Sequence, residues 1–307
     1  MDMFLWNQNS LYKEKFEGAL LNKDSIEVVI LGNSHANYGV DPSAFKSFTY
    51  NLANVSQSIY FDKRITLSLL PELKKLKYVF ISVDYHNLYF SSQGVRDNWS
   101  YYGNGIKYKN TNYFLANLSP SLFGYTWKVS FSLLKKRIGN KLRYGQKAVD
   151  FDVEEGVNVT IPIKRGFVSL EKTNEHEFTK EYYRTRNIYF NDIIKSSNEK
   201  EEILKDLDDF VQILLAHHVT PIIFTSPTFI EYNKFLDTSV LDGNAKDIFK
   251  LCSKYKIEYW DFMNSNVFSK DDFNNVDHLN SKGALKFGRL LNDSLINFQK
   301  KRVLEKY

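Results

Sequence analysis

Ile30-Leu31-Gly32-Asn33-Ser34-His35-Ala36 is the stretch that decides the fold. It comes after Ile26-Glu27-Val28-Val29, a β-branched run that predicts a buried parallel strand. Gly39, Asp41 and Pro42 then break the pattern, and Asp41 as N-cap with Pro42 at the first position predicts a short helix start. Ser34 therefore falls just past the carboxyl end of the first strand. In an open α/β sheet that rim is where ligands bind. Gly-Asn-Ser is also an ordinary strand-to-helix turn, because all three are turn formers, so these residues alone do not define a site.

Working outward, a second strand is predicted over 48–53, and Ile59, Tyr60, Ile65, Leu69 and Leu70 recur at helical spacing behind it. A third strand is predicted over 77–84, with polar residues gathering at its end. This β-α-β-α-β order argues for a parallel sheet with helices on its faces. Upstream, 11–24 reads as a short amphipathic helix carrying Leu11, Phe16, Leu20 and Leu21. Residues 86–198 break the rhythm with the turn-rich, aromatic segment 97–105, a mainly helical 113–143 ending in basic residues, and alternating Val157, Val159, Ile161 and Ile163. The rhythm returns with a helix over 199–216, a strand over 219–225, helices over 228–254 broken at Asp242-Gly243-Asn244, a strand over 257–262 and a closing helix over 281–299 that turns Ala284, Phe287, Leu290, Leu291 and Leu295 inward. The expected fold is a three-layer α/β/α sandwich, a flavodoxin-like five-stranded parallel sheet, in a single domain over 1–307 with a cap inserted over 92–198.

With 307 residues the chain has enough length for one large core or two modest ones. At 43% hydrophobic and 25% charged it has the composition of a folded protein, and its 24 Phe and 20 Tyr exceed what core filling needs. Some of these rings are expected to line a groove, although a tyrosine-rich proteome explains them equally well. A net charge of +5 permits an anionic glycan or a membrane surface as partner and does not call for nucleic acid. Cys252 is the only cysteine, which excludes a disulfide framework and a thiolate metal site. No apolar run reaches the roughly 18 residues of a spanning helix, and the apolar start at Met1–Trp6 is too short for a signal peptide. The expectation is a soluble, cytoplasmic chain without a membrane segment, or an envelope-exposed one if an anchor or signal lies outside this sequence.

A second stretch, Asn275-Val276-Asp277-His278-Leu279-Asn280-Ser281-Lys282-Gly283-Ala284, falls between the last strand and the last helix, again on the carboxyl rim. A serine hydroxyl is a poor nucleophile until an imidazole takes its proton. The imidazole needs a group on its other nitrogen to fix the tautomer and stabilise the imidazolium. Ser34, His278 and Asp277 supply those residue types.

Together the two stretches resemble the SGNH (GDSL-type) hydrolase superfamily. Gly32-Asn33-Ser34-His35 is similar to its first block, in which the serine is the nucleophile, and 277–284 to its last, in which the histidine is the general base. The likeness is nearer to the branch of DltD-like proteins and polysaccharide O-acetyltransferases, whose first block is succeeded by a stretch like Asn51–Gln57. It covers roughly 24–90 and 199–300 and leaves the cap unplaced. Two departures stand out. The family's acid lies three residues before the histidine, where this chain has Asn275. Asp277 turns in, Asn275 orients the ring without charge, or Ser34 and His278 act as a dyad. The family's Gly-x-Asn block has no counterpart at Tyr85-His86-Asn87, so the oxyanion donors are expected near the backbone of Ser34 and His35 and at Asn54 or Ser56. His86, at a strand end, is expected to line the substrate pocket. His217-His218 suits a helix end, His176 is expected in solvent, and no spacing suggests a metal or other cofactor.

The implied activity is serine-dependent O-acetyl transfer, or ester hydrolysis, on a bacterial surface polysaccharide or its precursor, with a carbohydrate acceptor and an acyl donor as partners. The contrasting expectation is a non-catalytic glycan-binding or assembly protein with a degenerate site, motivated by Asn275 and the missing block.

Overall fold

Five short strands, β1 (Val28–Leu31), β2 (Thr49–Asn51), β3 (Tyr78–Ser82), β4 (Thr220–Thr225) and β5 (Glu258–Asp261), pair in parallel in the order β2-β1-β3-β4-β5. The computed structural model describes residues 11–91, 163–171 and 173–304, with isolated positions 106, 135, 138, 139 and 142. The chain divides into two compact units, Met1–Leu21 with Ser92–Ile163, and Asn22–Ser91 with Lys164–Tyr307. In the first, α1 (Leu11–Leu21) buries Tyr12, Lys15, Phe16 and Ala19, while Leu21, expected on the apolar face, is exposed.

The second unit holds the sheet and α2 (Ser34–Gly39), α3 (Ile59–Leu69), α4 (Lys180–Ser196), α5 (Lys200–Ala216), α6 (Ile230–Asn233), α7 (Thr238–Tyr255) and α8 (Ser281–Leu304). It is the expected α/β/α sandwich with a flavodoxin-like strand order. β1, β3 and β4 are buried on both faces, which is why they read as largely apolar runs, whereas the edge strand β5 is half-buried with Asp261 exposed. Val28, Ile30, Phe80, Ile222 and Phe224 form one core with Ala36 of α2 and with Phe287, Leu291 and Leu295 of α8. The alternate residues Val29, Val79, Ile81 and Ile223 point to the opposite face. There α5 packs on β4 and against α3 and α7, burying the five positions Ile203, Leu207, Phe210, Val211 and Leu214 that its spacing predicts.

Several expectations are corrected. A helix, α2, begins at Ser34 itself, because Asn33 caps it by accepting from His35 N–H; the helical turn after Asp41 is only Pro42–Ala44. α7 runs unbroken through Asp242-Gly243-Asn244, and the interruption lies earlier, where Asp237 caps α7 by accepting from Ser239 N–H. Leu290 is half-buried rather than core. Most of the expected cap over 92–198 lies outside the described residues, including most of the predicted helix over 113–143, whose described positions 135, 138, 139 and 142 are helical, and most of the alternating stretch ending at Ile163. Residues 164–198 group with the sheet unit, not with 92–163. Among the described residues no helix is long and apolar enough to cross a membrane.

Candidate active site

Strand order reverses between β1 and β3, so the carboxyl ends of these two strands open the crevice where doubly wound sheets bind ligands. The nucleophile turn is built there. Gly32 has φ 134°, and a Cβ on it would stand 2.5 Å from the Ser82 Cβ, so only glycine fits the step from β1 into α2. Its N–H donates to Asp62 Oδ1, which Gln57 Nε2 also reaches. Asn33 Oδ1 caps α2, and its Nδ2 donates across the crevice to Asn87 Oδ1. Ser34 is left half-buried at the helix start.

The base comes from the loop between β5 and α8. Phe273 and Leu279 form an antiparallel bridge, and Asn274 N–H donates to His278 O, so 274–278 is a tight turn. Inside it Asn275 Oδ1 accepts from the backbone N–H of Asp277 (3.2 Å) and of His278 (2.8 Å), the Asx-turn habit of asparagine. The same oxygen lies 3.0 Å from His278 Nδ1. Two amide donors on one atom identify it as the carbonyl oxygen, so Nδ1 carries the proton and Nε2 presents its lone pair. That Nε2 lies 2.8 Å from Ser34 Oγ. α8 brings the two loops together by packing on α2 and on Pro42–Ala44. The approach requires Gly288, where a Cβ would stand 2.6 Å from Asp41 O and 2.8 Å from Ala44 Cβ.

Of the three ring-orienting arrangements open in the sequence, the structure shows Asn275 in hydrogen-bond contact. Asp277 Oδ1 is 3.3 Å from His278 Nδ1 and makes no hydrogen bond, because the carboxylate is turned towards two cations. Arg186 of α4 clamps Oδ2 through Nε (2.9 Å) and a terminal nitrogen (2.8 Å), and His35 Nε2 lies 3.5 Å away. Burial alone would raise the Asp277 pKa, but Arg186 foremost, with His278 and His35, holds it well below the carboxylate range. Burial pushes His278 down to about 3, a shift that Asp277 opposes and His35 reinforces, so the base is neutral at pH 7.

His35 does not face the substrate side as an oxyanion donor. Its N–H is spent on Asn33 Oδ1, and its buried ring lies between Asp277 and Asp84, with Nδ1 3.3 Å from Asp84 Oδ2. Ser34 N–H is the first-turn donor that remains beside the hydroxyl. Asn54 N–H donates to Gly32 O and its Oδ1 accepts from Val55 N–H; Ser56 is exposed with φ 53°. Neither is hydrogen-bonded to Ser34 or His278. His86 is buried, stacked on Phe190 at 4.2 Å and on Phe90 at 5.6 Å, and burial foremost pushes it down to about 3. It borders a small cavity with His35, Asp84, Phe190, Tyr232 and Asp277.

Arg186 and Asp84 are site residues that sequence reasoning misses. Asp84 carries a signal, as the polar end of a rim strand. Arg186 carries none, since its partner is 91 residues away. His35, Asp277 and His278 converge with side-chain nitrogen and oxygen atoms within 4.8 Å of one another, but His278 is engaged by Asn275 and Ser34, so the group is an ion-pair cluster rather than a metal site. Arg186 already occupies Asp277 Oδ2 there. No protein-family model matches this chain, and no curated protein matches it.

Proposed function

We propose that this chain performs serine-dependent acyl chemistry on a carbohydrate, transferring or removing an O-acetyl group on a bacterial surface polysaccharide or its precursor. The observation that carries the reading is the 2.8 Å contact between Ser34 Oγ and the unprotonated Nε2 of a histidine whose Nδ1–H is held by Asn275. Nε2 takes the hydroxyl proton as Oγ bonds to the acyl carbon, and the tetrahedral oxyanion is met by Ser34 N–H. The Nε2 proton then passes to the departing oxygen, leaving acyl-Ser34. A sugar hydroxyl, or water in the esterase version, gives its proton to Nε2 and attacks the ester, regenerating Ser34. The acetyl group and the glycan rest on the resemblance of Gly32–His35 and 277–284 to the O-acetyltransferase branch.

A glycan-binding protein with a degenerate site is the second reading, favoured by one observation: a neutral amide holds the ring, and the nearest carboxylate is engaged by Arg186. Intact-mass spectrometry after exposure to p-nitrophenyl acetate or a fluorophosphonate decides between them. A single adduct on Ser34, lost in Ser34→Ala and His278→Ala, is the expected result. No adduct on folded protein that still binds glycan overturns the enzyme reading.

A further inference from the structure

His35 Nδ1 and Nε2 each face a buried carboxylate, at 3.3 Å from Asp84 and 3.5 Å from Asp277. A neutral imidazole has one N–H and one lone pair, so it would present the lone pair to one of the two anions. Both carboxylates also have donors other than His35, and Asp277 is held ionised foremost by Arg186. Ser226 N–H (3.0 Å) and Ser82 Oγ–H (2.9 Å) serve Asp84, and Arg186 serves Asp277 twice. Neither ring nitrogen has a hydrogen-bond partner, so the contacts are electrostatic, and only the imidazolium is attracted to both sides. The charges then balance, with Asp84 and Asp277 against His35 and Arg186, around a buried ring. The imidazoles of His86 and His278 lie edge-on at 5.8 and 5.1 Å, and Tyr85 and Tyr232 line the same cavity as His35.

We propose that His35 is a positioning residue that stands as an imidazolium at neutral pH. As an imidazolium it ties Asp84, at the end of β3, to Asp277, in the base loop, and so keeps Asp277 from becoming the partner of His278. This rests on the Ser34–His278 reading for its catalytic consequence, though not for its charge. With Asp277 shared between Arg186 and His35, the base is oriented by Asn275 and stays neutral well into the acid range. Burial opposes this charge, but the two flanking carboxylates, Asp84 foremost, more than offset it and leave a pKa of about 9.

The test has two arms. In protein labelled with 15N-histidine, long-range 1H–15N correlation at pH 7.5 reports both His35 nitrogens as protonated; the signals are assigned by their loss in His35→Gln. A single protonated nitrogen on His35 overturns the proposal. In the second arm the rate of fluorophosphonate labelling of Ser34 is measured against pH in the wild type, His35→Gln and Asp84→Asn. Removing the imidazolium, or the carboxylate that keeps it charged, releases Asp277 to His278, and the acid limb moves up by about one unit or more. A purely structural role lowers the rate without moving the limb, and an unmoved limb in both variants overturns the positioning role. If His35→Gln does not fold, the wild-type spectrum and Asp84→Asn decide. A wild type that takes no label defeats the enzymatic reading alone, because the spectrum still reports the charge of His35.

Discussion

The nucleophile turn and the base loop contribute one residue each to the same 2.8 Å contact, yet they are built in opposite ways. The turn at 32–39 takes its shape from its own chain, a glycine at φ 134°, an asparagine cap onto the next residue but one and a helix begun at the nucleophile, and Asp62, Asn87 and Asn51 brace it. The loop at 273–283 is held by side chains and by a remote segment. Thr173 Oγ1 donates to Phe273 O, Asn174 N–H to Asn274 O and Ser281 N–H to Leu170 O. Asn280 Nδ2 donates to Asp271 O and Phe273 O, and Arg186 clamps Asp277. A local motif therefore places Oγ, whereas the imidazole, held by Asn275 three residues away, rides on a loop anchored by contacts spanning about a hundred residues.

The largest effect breaks both halves equally. Ser34→Ala and His278→Ala should each lower acyl-enzyme formation by about 10⁴-fold or more, since the two act as one unit. The double variant should cost no more than either single one, measured as the rate of ester cleavage. Additive losses would mean that the two loops do not cooperate, and the contact would then be a packing coincidence.

Next in size is the pH dependence of stability, which separates the two loops by sign. His35, at the turn, has its pKa raised to about 9, so its contribution is full below the unfolded value near 6.5 and is lost as pH rises through about 9. That loss is on the order of 3 kcal/mol. His278, in the loop, and His86 have pKa values pushed down to about 3, so their contribution is lost as pH falls from about 6.5. The lowered carboxyls of Asp84 and Asp277 lose theirs at still lower pH. Urea unfolding should show greatest stability near neutrality with a fall on each side. A flat profile from pH 6.5 to 9.5 would show that His35 is not charged in the fold.

The same contrast explains what is legible in the sequence. β1, the rim position of Ser34 and the apolar face of α5 come from short-range periodicity, and the chain order of elements forces a parallel sheet. The pairing of Ser34 with His278 is readable because each sits in a local motif at a strand end. The choice between Asn275 and Asp277 is not, because it depends on Arg186 arriving from α4, in a stretch expected to belong to a cap. α2 escapes the sequence pattern because Asn33 has the marks of a turn former, whereas its side chain works as a cap. Asp242-Gly243 has the marks of a breaker, but an eighteen-residue helix with its own Asp237 cap absorbs one glycine at a cost of about 1 kcal/mol.

Asn275 tests the loop alone. Asn275→Ala removes one acceptor from three N–H groups at once, two backbone and one imidazole, and should slow acylation by about 10²-fold, or ~2.7 kcal/mol. Asn275→Asp keeps the turn acceptor and adds a charge beside Nδ1. It should move the acid limb of labelling upwards by about one to two units without loss of rate. A loss in Asn275→Ala with wild-type rate and an unmoved limb in Asn275→Asp would show that Asn275 serves only the turn and that Asp277 is the working partner.

The smallest effect is the mirror test on the turn side. Asp41 Oδ1 accepts from Ser43 N–H and caps the Pro42–Ala44 turn just beyond α2, a turn against which α8 packs. Asp41→Ala should cost about 1 kcal/mol of stability by urea denaturation. Because Ser34 is fixed by Gly32 and Asn33 rather than by the chain beyond α2, the labelling rate and its pH dependence should stay at wild-type values. A comparable stability loss made in the base loop, through Thr173→Val at the Phe273 carbonyl, should in contrast lower the labelling rate, because there the remote contact anchors the loop that carries the imidazole. If Asp41→Ala slows labelling as much as Thr173→Val does, the two loops are equally dependent on distant support, and the distinction between them falls.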